Sequence, residues 1–145
     1  MKVLLDTNIV LRLLNQTDPE HQLVVSALER LVSRDWYPTI CSQNLYEFWV
    51  VGTRPERQNG FGLEPAFAFN AVTNLRSRFD WLPDPPDLLD RWLELVTRYS
   101  VCGRPAHDAR LVALMLAHGV GHILTLNTSD FSRYTEITCL APADV

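Results

Sequence analysis

The chain alternates between short solid apolar runs and longer stretches in which apolar residues return every three or four positions. Val3, Leu4 and Leu5 form a continuous run, which predicts a strand covered on both faces. Residues 9–14 predict a first amphipathic helix, with Thr7 and Asn8 able to cap it. In residues 19–34, Leu23, Val24, Ala27, Leu28 and Leu31 recur at helical spacing, and Asp18 before Pro19 supplies a cap. Residues 36–41 predict a second strand, demoted somewhat by Pro38, which has no N–H for a ladder. Ser42 stands where it can cap the next helix, which runs through Leu45, Phe48, Trp49 and Val51 to Gly52 or Thr53.

Residues 53–63 carry two glycines, a proline, Arg54 and Arg57, and read as the loop best suited to motion. A helix over residues 64–79 follows, then a brief edge strand at 80–83, a rigid Asp-Pro-Pro-Asp turn and a helix over 88–99. Residues 104–118 form the most regular helical pattern, and Gly119 stops it. Strands at 121–126 and 137–140 flank a polar turn, Asn127 to Phe131. Strands alternating with helices predict an α/β fold with a mainly parallel sheet.

At 145 residues, with 47% hydrophobic and 21% charged positions, the sequence predicts one globular domain over residues 1–145 and excludes disordered or collagen-like classes. Three scattered cysteines, Cys41, Cys102 and Cys139, have neither disulfide nor zinc spacing and suit a reducing compartment. No secretory leader and no bilayer-length apolar run are visible, so a soluble cytoplasmic protein without membrane contact is expected. The net charge of −4 argues against a protein that coats nucleic acid, yet it is compatible with a nuclease whose acidic centre offsets a basic rim. The basic residues are twelve Arg and one Lys; arginine suits phosphate contact, but codon bias is the better explanation of that excess.

Three acids are misplaced by the logic of burial. Asp6 ends a buried strand; Glu47 lies at the edge of an apolar helix face; Asp108 has Leu111, Val112 and Met115 as its helical neighbours. In a parallel α/β fold, strand carboxyl ends and helix amino ends share one edge, where Asp6, Asp108 and the Asn127 to Asp130 turn can converge. Several carboxylates in one place call for a cation between them. An all-oxygen donor set without a Cys or His cluster selects a hard ion, Mg²⁺ or Mn²⁺. His107 points a quarter-turn away from Asp108 and reads as a rim or capping residue.

Four fragments in order carry a family resemblance: Leu5-Asp6-Thr7-Asn8-Ile9, Glu47 within Leu45-Tyr46-Glu47-Phe48, His107-Asp108-Ala109-Arg110-Leu111-Val112-Ala113, and Leu124-Thr125-Leu126-Asn127-Thr128-Ser129-Asp130-Phe131. With them the chain resembles the PIN-domain ribonucleases, and more narrowly the VapC-like toxins of bacterial toxin–antitoxin pairs, over essentially its whole length. The resemblance implies a three-layer α/β/α sandwich, metal-dependent endonucleolytic hydrolysis of RNA with Mg²⁺ or Mn²⁺, a protein antitoxin as partner and, commonly, a homodimer. Asp6, Glu47 and Asp108 match the family's first three acidic positions. The fourth departs: many relatives have an acid where this chain has Asn127, with Asp130 three residues on.

On this reading Asp6 and Asp108 bind metal, Glu47 binds metal or orients water, and Asn127 and Asp130 complete the outer part of the site. Thr7, Asn8 and Ser42 are expected to hold those carboxylates, and Arg54 and Arg57 to contact RNA phosphate. A phosphatase of the haloacid-dehalogenase type fails at once, because it needs a second Asp where Asn8 stands. The alternative is a catalytically weakened PIN-like module that binds RNA or a protein partner, with Asn127 as its mark; a metal titration separates the two.

Overall fold

The computed structural model describes all residues 1–145. Five strands, β1 (Lys2–Leu5), β2 (Tyr37–Cys41), β3 (Asp80–Leu82), β4 (His122–Leu124) and β5 (Thr138–Leu140), form one sheet in the order β3-β2-β1-β4-β5. Every pairing is parallel, so the sheet is wholly and not just mainly parallel. Six helices connect the strands: α1 (Thr7–Leu14), α2 (His21–Ser33), α3 (Ser42–Thr53), α4 (Pro65–Arg78), α5 (Leu88–Arg98) and α6 (Pro105–Ala117).

The solid apolar run of β1 has the expected cause. As the middle strand it is covered on both faces, with Leu4 in one core cluster and Val3 and Leu5 in the other. The Leu4 face packs on α5 and α6 through Leu95, Leu111, Leu114 and Met115. The Val3 and Leu5 face packs on α1 to α4 through Ile9, Val24, Leu31, Leu45 and Leu75. The product is a three-layer α/β/α sandwich.

Some local expectations change. Pro38 does not push β2 to an edge: β2 lies between β1 and β3. The Tyr37 N–H donates to Met1 O, so the alternation of a parallel strand turns the Pro38 nitrogen toward β3. There β3 first pairs at Thr39, one residue beyond the proline. Helix α2 begins at His21, two residues later than expected, and Asp18 instead accepts the Glu20 N–H in the turn ahead of it. Ser42 is the first residue of α3 and not its cap. The capping position belongs to Cys41, whose N–H donates to the Asn44 side chain at 2.9 Å. The stretch after α3 contains a 3-10 turn at Glu56–Gln58 and is tied back to the helix, Phe61 N to Val51 O and Leu63 N to Gly52 O.

Candidate functional site

The strand order reverses direction about β1: β2 and β3 lie to one side of it, β4 and β5 to the other. Open parallel sheets bind ligands at the strand carboxyl ends beside such a switch point. Here Asp6 leaves β1 and Thr125 leaves β4, joined by the Asp6 N–H to Leu124 O bond at 2.9 Å. A cleft of about 680 Å³ opens over this edge. Asp6, Thr7, Asn8, Glu47, Arg54, Asp108, Asn127 and Asp130 line it, so most of the expected site residues converge.

Asp6 is the most buried acid, at 8% exposure. Its Oδ2 accepts from the Thr125 hydroxyl at 2.7 Å and the Asn8 amide at 2.8 Å. Asn8 is itself held, because its Oδ1 accepts the Leu126 N–H at 3.3 Å. Burial pushes the Asp6 carboxyl up to about 6 from an ordinary 3.8, against the Thr125 and Thr7 hydrogen bonds that favour the anion; Glu47 and Asp130 add repulsion. Asp108, in the first turn of α6 and half-buried, is likewise raised to about 6, first by burial and then by Asp6, Asp130 and Glu47. Glu47 and Asp130 thus lie within electrostatic reach of both Asp6 and Asp108. None of the four takes part in an ion pair.

Thr7 and Ser42 divide. The Thr7 hydroxyl accepts from the Asn44 amide at 3.2 Å, and the same amide donates to Leu5 O at 3.0 Å, which pins the start of α3 to the end of β1. Ser42 does not hold the clustered acids. Its position at the start of α3 aims its hydroxyl at Asp84, to which it donates at 2.8 Å. Asn127 borders the cleft, but its structural bond is a backbone N–H to the Thr125 hydroxyl at 3.0 Å. Of the two turn residues, it is Asp130 that adds repulsion on Asp6 and Asp108.

The two arginines of the 53–63 stretch also separate. Arg54 lines the cleft, its Nη2 donating to Asn59 O at 3.0 Å while its buried Nε has no partner. Arg57 is exposed in the 3-10 turn and lies outside the cleft. His107 stands on the cleft wall as a rim residue.

Sequence reasoning missed Thr125, Arg104 and Gln43. Thr125 is hidden by its ordinary look as a polar residue at a strand end. Arg104 lines the cleft from just before α6, where a cation gives no favourable helix-dipole signal. Gln43 is 6% exposed on α3, four residues before Glu47; an uncompensated Gln on a helix one turn from an acid is the only hint the sequence offered.

As placed, no three His, Cys, Asp or Glu side chains close into a ready cage for an ion. The chemistry of the donor set still suits one. All the donors are oxygen, and four like charges without ion-pair partners face one cleft, an arrangement a hard divalent cation relieves.

No curated protein matches the sequence significantly. Among solved structures, similarity extends to VapBC2 from Rickettsia felis bound to a DNA fragment from its promoter, at 18% identity and TM-score 0.71, covering 97% of this chain and 98% of that one. VapBC-1 from nontypeable Haemophilus influenzae matches at 18% identity and TM-score 0.70, covering 99% of both chains. VapC20 from Mycobacterium tuberculosis, a Sarcin-Ricin loop cleaving toxin, matches at 18% identity and TM-score 0.58, over 83% of this chain and 86% of that one. These likenesses are of fold. The PIN domain family model matches residues 3–137, nearly the full length and every element that carries an acid of the cleft, and by that match the chain belongs to the PIN domain family.

Proposed function

We propose that this protein is a metal-dependent endoribonuclease that hydrolyses RNA phosphodiester bonds in the cytoplasm, as the toxin of a toxin–antitoxin pair. The observation that supports it best is the set of four unpaired carboxylates, Asp6, Glu47, Asp108 and Asp130, in a cleft that also presents Arg54 and Arg104. Acids alone would repel a polyanion. Acids that hold Mg²⁺ or Mn²⁺, with arginines beside them, accept one. When bound, the ion would acidify the attacking water and neutralise charge on the phosphate.

The chain's own residues supply placement. Thr125 and Asn8 fix Oδ2 of Asp6 and leave Oδ1 without a side-chain donor, available as a ligand. Asp108 and Glu47 come from two different helices and complete the ligand set with Asp130 on the outer side. Arg54 and Arg104, both on the cleft lining, receive the phosphates that flank the scissile bond.

A protein antitoxin and a second copy of the chain are the partners in this reading. Tyr46, Trp49 and Val50 on α3 and Phe67 and Phe69 on α4 are large apolar side chains exposed to solvent, and they are the surface this reading assigns to a partner.

The test is cleavage of RNA with Mg²⁺ or Mn²⁺ present. Wild type is expected to cleave, chelator to stop it, and Asp6→Asn or Asp108→Asn to lower the rate by at least about a thousandfold while the fold persists. Cleavage by either variant at the wild-type rate would sink the proposed site. Absence of both cleavage and Mn²⁺ binding in wild type would favour the binding-module alternative.

A further inference from the structure

Gln43 is a buried amide between the helices that carry Glu47 and Asp108. Its Nε2 donates to Oε1 of Glu47 at 2.8 Å and to the His107 carbonyl at 2.9 Å. Its Oε1 accepts from Nη1 of Arg110 at 3.2 Å. A side-chain amide can face either way, but arginine is only a donor, so Arg110 draws the carbonyl oxygen to itself and turns Nε2 toward Glu47 and His107. Arg110 is fixed in its turn. Its Nη2 donates to Oδ2 of Asp84 at 2.8 Å, and the Ser42 hydroxyl donates to the same oxygen at 2.8 Å.

We propose that Gln43, oriented by Arg110 and Asp84, is a positioning residue that sets the Glu47 carboxylate and the first turn of α6 in the places from which Glu47 and Asp108 receive a divalent ion. This role rests on the metal-dependent reading above. Two features of the chain support it. The carbonyl that Gln43 grips belongs to the residue before Asp108, and the preceding carbonyl, Ala106 O, accepts from the Trp92 indole N–H at 2.8 Å. The start of α6 is thus held from α3 and from α5 at consecutive residues. Arg110 also faces Asp84 in an ion pair, so its charge is matched there and its effect on Glu47 is one of geometry. Partners of this kind, one step removed from a metal, typically change affinity when lost.

The experiment is calorimetric titration of the RNA-free protein with Mn²⁺, alongside thermal melts to fix the folded fraction. Gln43→Leu should raise the dissociation constant about tenfold at a matched folded fraction, a change that a merely structural tie would not produce. Arg110→Lys keeps the charge opposite Asp84 but cannot span both Asp84 and Gln43, and should weaken Mn²⁺ binding by a smaller factor. The double variant should bind no more weakly than Gln43→Leu, because both changes act through one amide. A folded Gln43→Leu within about twofold of wild type would overturn the positioning role alone. Should Gln43→Leu not fold, unchanged affinity in Arg110→Lys overturns it. No Mn²⁺ binding by wild type would retire the metal-dependent reading and this role with it.

Discussion

At the scale of single residues, Asp6 sets the pH behaviour of the metal-free protein. Its carboxyl is raised to about 6 from 3.8, so the folded state disfavours the anion. Stability that is whole below about pH 4 is lost as the pH rises through 6, the reverse of a salt-bridged carboxylate. Asp6→Asn should therefore leave stability unchanged near pH 4 and raise it by about 1–3 kcal/mol at pH 7.5. Urea denaturation in chelator at the two pH values checks this; an equal effect at both would show that the carboxylate is not under strain. Asp108 shares the sign, but solvent reaches it and its share is smaller. Both acids were legible in the sequence because a carboxylate on an apolar stripe breaks a rule. The choice between Asn127 and Asp130 was not, since a turn's side-chain directions depend on its path. Asp130 is the one whose charge bears on Asp6 and Asp108. Asp130→Asn should then raise the Mg²⁺ concentration for half-maximal cleavage about tenfold, while Asn127→Asp adds a fifth negative charge and lowers metal-free stability by less than about 1 kcal/mol. The opposite order of metal requirement would make Asn127 the ligand position.

At the scale of elements, the 53–63 connection departs most from expectation. Composition predicted an open loop carrying two phosphate-binding arginines. Instead the chain folds back on α3, with Gly60 N donating to Pro55 O and Gly62 N to Arg54 O. The return path exists because Gly60 lacks a side chain: a Cβ there would stand 1.9 Å from Arg54 O. That closeness places Arg54 at the cleft and leaves Arg57 outside it. Arg54→Ala and Arg104→Ala should each flatten the dependence of log RNA affinity on log salt by about one, with Arg57→Ala nearly silent. Gly60→Ala, which must spread the turn, should resemble Arg54→Ala. An equal loss from Arg57→Ala would put RNA along the outer face of the turn. Helices and strands were legible to within a few residues, because their apolar spacing is set by the layers they touch. The start of α3 was not: Ser42 looked like the better cap, but the buried Asn44 bonds Cys41, Leu5 and Thr7 together, and that contact spans distant segments.

At the scale of the whole molecule, we propose that residues 1–145 unfold as one cooperative unit, because both cores are built on the same strand. Leu4 and its neighbours Val3 and Leu5 point into opposite layers, so neither layer can come apart without releasing β1 from the other. Tryptophans report on each side: Trp36 and Trp81 pack on the α1 to α4 layer, and Trp92 on the α5 and α6 layer. Variants retaining only Trp81 or only Trp92, with the others changed to Phe, should give urea transitions with the same midpoint. Leu4→Ala removes a side chain with no solvent exposure from the α5 and α6 side, at a cost of about 2–5 kcal/mol. If the sheet couples the layers, Trp81 on the far face must register the whole of that loss, and both midpoints should fall together. A Trp92 transition that moves while the Trp81 transition stays would show two units sharing a sheet. The four acids come from the end of β1, α3, α6 and the turn after β4, so in that case the cleft would lose its geometry at the first transition, before the remaining layer melts.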